Sequence, residues 1–403
     1  MVSQRSANPM LRNVRLLAWF NFLADFRPYA PIAILYFAQV SGSYALGMSV
    51  WSVASLSQSL FEVPTGVFSD LIGRKRTMVC GAIASVLSLT CYAIGGTYVM
   101  LLAGGVFEGL SRAFYSGNND ALLHDTLAVS GQKESFQEYL GKTSSMFQFA
   151  LGISALVGSL IAAISFQAVL WVSVIPMLLA LFVTLRFVEP QAYSRTSANV
   201  YAHLGQAFRN TIRNPRLLML SAASVLMHAI GESAWLFRSA FVATLWPVWA
   251  LGIGQMLANL TGAIGFYFAG PVIRRFGEFR LLVWSSAVTD AVNFLMVLVP
   301  TVLSPLVMSQ SFTWGVNMVA IGGLLQREFT DEQRATMGSL NSFAGSITFA
   351  VFSFLLGALA DRIGVVPALL VASGLLLIPN GLYWLALRDK SPAPVQEAEI
   401  TGM

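Results

Sequence analysis

Gly66-Val67-Phe68-Ser69-Asp70-Leu71-Ile72-Gly73-Arg74-Lys75-Arg76 is a short charged interruption between two long apolar runs. A glycine opens it, an aspartate follows four residues on, a second glycine three further, and three basic residues come at once. Glycines at these points permit a close backbone approach and a sharp turn. Asp70, at the edge of its run, can face the positive N-terminus of a neighbouring helix. Arg74, Lys75 and Arg76 can hold the loop against anionic headgroups. The stretch reads as a tight polar loop joining two membrane-crossing helices.

The composition agrees. Of 403 residues, 56% are hydrophobic and 11% charged, whereas a soluble domain carries about 25% charge. So little charge cannot cover a water-facing surface, which excludes a soluble enzyme; the hydrophobicity excludes a disordered chain. A bilayer admits helices or closed barrels. Long continuous apolar runs, rather than alternating segments of ~10 residues, exclude the barrel. At roughly 20 residues per crossing, charge, Gly and Pro divide the chain into twelve runs: 14–39, 45–69, 77–96, 98–122, 142–164, 167–188, 217–244, 249–270, 279–299, 302–326, 335–359 and 364–387. Asn8-Pro9-Met10 leads into a full-length run, so the start is expected to stay as the first helix. Twenty of the 24 Lys and Arg, from Arg5 through Arg74 to Lys390, fall in loops on one side, and Arg362 stands alone on the other. That asymmetry puts the basic loops and both termini in the cytoplasm. The net charge of +5 then follows from topology. Basic residues scattered over alternate loops form no stripe for a nucleic-acid partner. Cys80 and Cys91 share one helix roughly 16 Å apart, too far for a disulfide.

The hydropathy breaks most deeply at Glu189–Pro215, with six runs on either side. The expected domains are an N-terminal six-helix bundle (1–188), a cytoplasmic linker (189–215), a C-terminal six-helix bundle (216–390) and a disordered tail (391–403). Within the linker, Val200, Leu204, Ala207 and Ile212 recur at near-helical spacing, as on a surface-lying amphipathic helix. A solvated linker would read the same way. Gly270-Pro271-Val272-Ile273-Arg274-Arg275-Phe276-Gly277 echoes the Gly66 stretch after the second run of the second half. Duplicated six-helix halves recur among transporters.

Gly66-x-x-x-Asp70-x-x-Gly73-Arg74-Lys75, in this position and with this echo, closely resembles the loop motif of the major facilitator superfamily. The resemblance covers essentially the whole chain. It implies an all-α membrane protein with twelve transmembrane helices in two pseudo-symmetric six-helix bundles. It also implies a gating role for Gly66, Asp70, Gly73, Arg74 and Lys75, with Asp70 latching one half to the other in one state of the cycle. Phe61-Glu62-Val63-Pro64-Thr65-Gly66, Ser116-Gly117-Asn118-Asn119-Asp120 through Leu127, and Arg334-Ala335-Thr336 resemble a drug-exporter-like bacterial branch, which implies the bacterial inner membrane. Three departures stand out. Leu71 replaces a usual basic residue, Gly105 falls where a buried arginine is usual, and the fifth run, with Gly152 and Gly158, lacks the proline of the antiporter motif.

Ionisable residues inside spans are costly and mark a pathway. Here they are Asp25, Arg27, Glu62, Glu108, Arg112, His228, Glu232, Arg238 and Asp290. Asp25, Arg112, His228, Glu232 and Asp290 fall near mid-depth, Glu62 nearer the cytoplasm and Arg238 nearer the outside. Asn21 and Asp25 share a helical face. Pro28 cannot donate to the carbonyl of Ala24, so a broken ladder lies beside the acid. Asp25 reads either as a proton carrier or cation-binding carboxylate, or as a static bridge to Arg27 or Arg112. Glu108 and Arg112, at i,i+4, can neutralise each other or read a zwitterion. His228 and Glu232 repeat that spacing, and His228 is either pH-responsive or simply hydrogen-bonded. Glu62 sits one turn before Gly66, where protonation could couple to opening. Asp290 has Asn293 one turn away. Gln310, Trp314 and Asn317 follow one face, and Trp235 follows Glu232; such aromatics can hold an organic cation or simply pack. The expected proton-coupling residues are Asp25, Glu62 and Glu232. The expected cavity adds Asn21, Arg27, Glu108, Arg112, His228, Trp235, Asp290, Gln310, Trp314 and Asn317. Stripes at Ser154, Gly158, Ala162 and at Gly254, Ala258, Gly262 read as close helix contacts.

Gly141-Lys142-Thr143 imitates the end of a phosphate-binding loop, but Phe136 stands where its leading glycine belongs. His124, His203 and His228 with two Cys give no metal spacing, and no enzyme motif is present. No cofactor, metal or nucleotide motor is expected. The expected function is secondary active transport by alternating access: proton-coupled export of a small amphipathic organic compound, by a monomer whose partners are substrate, protons and bilayer. The rivals are proton symport or facilitated uptake of a small polar or anionic metabolite and, remotely, a non-transporting membrane receptor.

Overall fold

The computed structural model describes residues 9–190, 215–328 and 331–388. Residues 191–214 of the expected linker, the tail, and the side chains of Arg334, Ala335 and Thr336 lie outside the described residues. Sixteen α-helices, with no strand among the described residues, occupy all twelve expected runs. In chain order they are α1 (Pro9–Asp25), α2 (Ala33–Ser41), α3 (Tyr44–Ile72), α4 (Arg74–Ile94), α5 (Tyr98–Tyr115), α6 (Asn118–Val129), α7 (Phe136–Ala162), α8 (Phe166–Leu185), α9 (Pro215–Val242), α10 (Leu251–Phe276), α11 (Ser286–Leu298), α12 (Ser304–Met308), α13 (Phe312–Glu328), α14 (Asp331–Ile363), α15 (Val365–Leu375) and α16 (Leu377–Arg388). Helix is what an apolar run must form in lipid, because each backbone polar group needs a partner within the segment. Among the described residues, eight helical rods are long and apolar enough to cross a bilayer, and the pair Leu11–Ser41 and Tyr44–Glu62, bent by 118°, makes a ninth if it is one span. The protein is therefore a multi-pass membrane protein.

Four expected runs are broken; the twelfth parts at Leu376, between α15 and α16. The first parts after Asp25, where Pro28 and Pro31 leave only a 3-10 turn at Ala30–Ile32. The fourth parts at Ser116-Gly117, with Gly117 at φ +68°, and continues as α6 well past the expected end at 122. The tenth parts between α12 and α13. Interrupted spans are where polar backbone and side chains gather in transporters. Gly73, at φ +100°, ends α3. Gly277 at +76° ends α10, and Gly364 at +91° lies between α14 and α15. A left-handed conformation suits glycine, which has no Cβ to clash.

The core is unequally shared. Toward the face bearing Asp361, one apolar cluster joins both halves, with Phe37, Trp51 and Tyr92 from the first and Phe237, Phe241, Leu251 and Leu356 from the second. Toward the face bearing Asp70, each half has its own cluster: Leu17, Phe20, Met78 and Leu122 in one, Leu220, Leu282, Leu324 and Tyr383 in the other. Small residues permit the shared contact, as expected where lipid gives no hydrophobic drive between helices. Gly252 of α10 lies against the Ala155 carbonyl of α7, and Gly357 of α14 against the Tyr44 carbonyl of α3. Ser52 Oγ lies 2.9 Å from the Ala350 carbonyl and 2.7 Å from Ser353 Oγ. The halves thus meet closely on the Asp361 face and separate toward the Asp70 face.

Candidate functional site

The break after α1 creates the centre of the site. Pro28 frees the Ala24 carbonyl, and Arg27 Nε donates to it at 3.1 Å. Arg27 Nη2 also lies 3.2 Å from Asp25 Oδ1, and its Nη1 lies 3.9 Å from Glu108 Oε1. Arg112 Nη2, one turn along α5, donates to the same Glu108 oxygen at 2.6 Å. Tyr92 of α4 donates its hydroxyl to Glu108 Oε2 at 2.8 Å. Glu108 is buried, whereas Asp25 keeps 30% of its side chain exposed. Two arginines and two carboxylates thus balance in one chain of contacts, the form in which buried charge is tolerated. Arg27, Arg112, Ser85, Ser111 and Tyr115 line a cleft beside it. From the other half, exposed Glu232 lies within electrostatic range of Arg112.

Other expected residues lie apart from this cluster. Asn21 accepts from Asn119 Nδ2 at 2.8 Å and donates to the Thr143 carbonyl at 3.1 Å, so it ties α1 to α6 and α7. Asp290 accepts from Asn380 Nδ2 at 2.7 Å, and Asn317 Nδ2 donates to Ser286 Oγ at 2.8 Å. Both are contacts between helices of the second half. His228 is exposed and stands against the Phe349 ring, 6.4 Å between centroids. Trp235 stacks on the Arg238 guanidinium at 4.9 Å. Trp314 meets the edge of Phe266 at 5.4 Å, and Gln310 is exposed. Glu62 accepts from Ser116 Oγ at 3.1 Å, where the fourth run breaks.

Around Asp70 the described residues give the following contacts. Among the described residues, a Cβ at Gly66 would meet nothing within 4 Å. Among the described residues Asp70 has one partner, on its own loop. It pairs with Arg74 at 3.2 Å, and Arg74 also reaches Asp125 at 3.5 Å and Ser69 Oγ at 2.8 Å. The N-terminus of α4 is taken by Glu189, whose carboxylate accepts from Arg74 N at 2.8 Å and Lys75 N at 2.9 Å.

Sequence reasoning missed Tyr92, Glu189 and Asp361. Tyr92 carries the mild signal of a polar tip inside an apolar run. Glu189 falls at the start of the expected linker. Asp361 has a clear signal: Gly357-x-x-x-Asp361-x-x-Gly364 repeats the spacing of Gly66, Asp70 and Gly73. Its carboxylate accepts from Tyr44 N at 2.7 Å and Ala45 N at 2.9 Å, across the two halves.

A sequence profile described as Major Facilitator Superfamily matches residues 16–350. The chain belongs to this superfamily. It is a transporter, not an enzyme. An MFS-type transporter of Bacillus subtilis, YxaM, is 21% identical over 379 residues, covering 90% of this chain and 92% of that one. A Na(+), Li(+), K(+)/H(+) antiporter of Planococcus maritimus is 25% identical over 193 residues, covering 45% of this chain and 42% of its own. An MFS-type transporter of Methanocaldococcus jannaschii is 28% identical, but only 33% of its length is spanned. The nucleoside transporter NupG superposes with a TM-score of 0.80 at 14% identity, over 95% of this chain and all of that one. An inward-facing, unoccupied bacterial homolog of the human lysosomal transporter Spinster gives 0.74 at 14% identity, over 96% of this chain and all of its own. These likenesses establish the fold.

Proposed function

We propose that this superfamily transporter exports a small amphipathic organic compound in exchange for protons, in the manner of the drug-exporter-like branch. It works by alternating access in the bacterial inner membrane, as a monomer with both termini and the Asp70 face cytoplasmic. The observation that carries this reading is the balanced Asp25–Arg27–Glu108–Arg112 chain facing Glu232 of the other half. A proton on Asp25 removes one of its two negative charges and frees Arg27 to change partner. That gives the two states different energies, as coupling requires. Asp25 suits the role better than Glu108, because it is partly exposed and Glu108 already holds Arg112 and Tyr92. Glu232 and Glu62 are the further carriers. The antiporter relative supports exchange as the mode.

The test is transport in proteoliposomes with an imposed pH gradient, across a panel of organic cations, anions and neutral amphipaths. Antiport accumulates substrate on the acidic side. Accumulation on the alkaline side would instead support symport uptake of an anionic metabolite, the reading that the surplus arginine Arg238 favours.

A further inference from the structure

Arg238 is the span-embedded charge that the site above leaves unused. Arg27 and Arg112 each have a carboxylate; among the described residues Arg238 has none within ion-pair reach. Its Nη1 donates to the Met308 carbonyl at 2.5 Å, and the guanidinium plane lies over Trp235. One carbonyl occupies only part of a five-donor fork. An uncompensated cation in a span is costly and is retained where it meets a partner.

The surroundings fit an incoming anion. Arg238 lines a narrow cleft between α9, α10 and α12 with Trp235, Ser239, Gln255 and Ser309, while Val242 and Leu251 close its apolar side. The two apolar residues belong to the core shared by both halves. The cleft, lined by the second half, therefore borders the core that both halves share. His228, Glu232, Trp235 and Ser239 recur at helical spacing along one face of α9. Glu232 on that face lies within electrostatic range of Arg112. Arg238 adjoins the same face, beyond Trp235. The guanidinium fork, already oriented by stacking and by Met308, matches a carboxylate bidentately, a geometry lysine lacks.

We propose that Arg238, with Gln255 and Ser239, is an anion-recognition subsite that takes the carboxylate of an amphipathic organic acid, its apolar body lying along Trp235. This rests on the transport reading and narrows its substrate class to organic anions.

The experiment is equilibrium binding to the purified full chain in nanodiscs of neutral phosphatidylcholine. The probes are matched pairs: 2-naphthoate, benzoate and decanoate beside their primary amides. The expected result is that at least one acid binds at least tenfold tighter than its amide. Arg238→Gln and Arg238→Lys should both abolish that preference. If Arg238→Gln does not fold, Gln255→Leu and Ser239→Ala keep the guanidinium and should each weaken the acid at least threefold, leaving the amide unchanged. Acids and amides bound alike, no acid bound by the wild type, or a preference that survives Arg238→Gln would overturn the subsite. So would thermal stabilisation by phosphatidylglycerol nanodiscs that vanishes in Arg238→Gln without any acid preference, which would make Arg238 a headgroup anchor. No gradient is present in this assay. Loss of gradient-driven transport with the acid preference intact would sink the coupling reading alone.

Discussion

Asp361→Asn tests what holds the Asp361 face closed. The Asp361 carboxylate accepts from Tyr44 N at 2.7 Å and Ala45 N at 2.9 Å. These are first-turn donors of α3, which have no partner inside the helix. Ser43 Oγ takes the next, Leu46 N, at 3.2 Å. A negative charge from one half thus caps the positive end of a helix in the other, with Gly357 packed against the Tyr44 carbonyl beneath it. The asparagine keeps one acceptor and loses the charge. Loss of a capping acceptor costs about 1 kcal/mol, and loss of an anion at a helix N-terminus adds about 0.3–1 kcal/mol at an exposed position. The sum of about 1–2 kcal/mol corresponds to a population change of roughly 5–30-fold. Spin labels at Val99 and Val302, both exposed on this face, in a background lacking Cys80 and Cys91, report the separation of the halves. The long-distance population should rise by that factor in Asp361→Asn. A distance distribution identical to that of the parent would refute the charge–dipole account of the seal.

Four further outcomes are expected. Asp25→Asn should abolish gradient-driven accumulation while leaving substrate counterflow, as flux assays in the same vesicles would show; intact accumulation removes Asp25 as proton carrier. Glu108→Gln leaves the partly exposed Arg112, and Tyr92, facing a neutral amide, so it should destabilise by about 1.5–3 kcal/mol, read as a drop in Tm. Glu189→Gln keeps an acceptor but not the charge at the start of α4 and should cost about 0.3–1 kcal/mol, a small Tm shift; no shift means that the cap is idle. Asp70→Asn breaks an exposed pair with Arg74 worth less than about 1 kcal/mol, so Tm should hardly move. A transport rate that also stays unchanged would deny Asp70 a role in the cycle.

How much can be read in advance depends on how local each cause is. The twelve runs, the break after Asp25 and the liberated Ala24 carbonyl follow from apolar length and from a proline without an N–H. The Glu108–Arg112 pair follows from i,i+4 geometry. Asn21 shares a face with Asp25, yet it binds α6 and α7, because the face alone does not say which neighbour arrives. Gly66 reads as a crowded position, yet no described residue crowds it, since crowding there depends on which segment of the other half arrives. The Glu189 cap on α4 joins residues 115 and 114 positions apart, and no periodicity predicts it.

The solvent, the number of apolar runs, the asymmetry of the basic loops and the costly charges inside the spans are legible from the residues alone. These are sums over local composition and spacing. Which charges cancel, that Arg238 has no carboxylate among the described residues, and that the halves meet at Asp361 come from the packed chain alone. Those outcomes depend on how two packed bundles are placed against each other, and one sequence supports more than one such placement because their energies differ by only a few contacts.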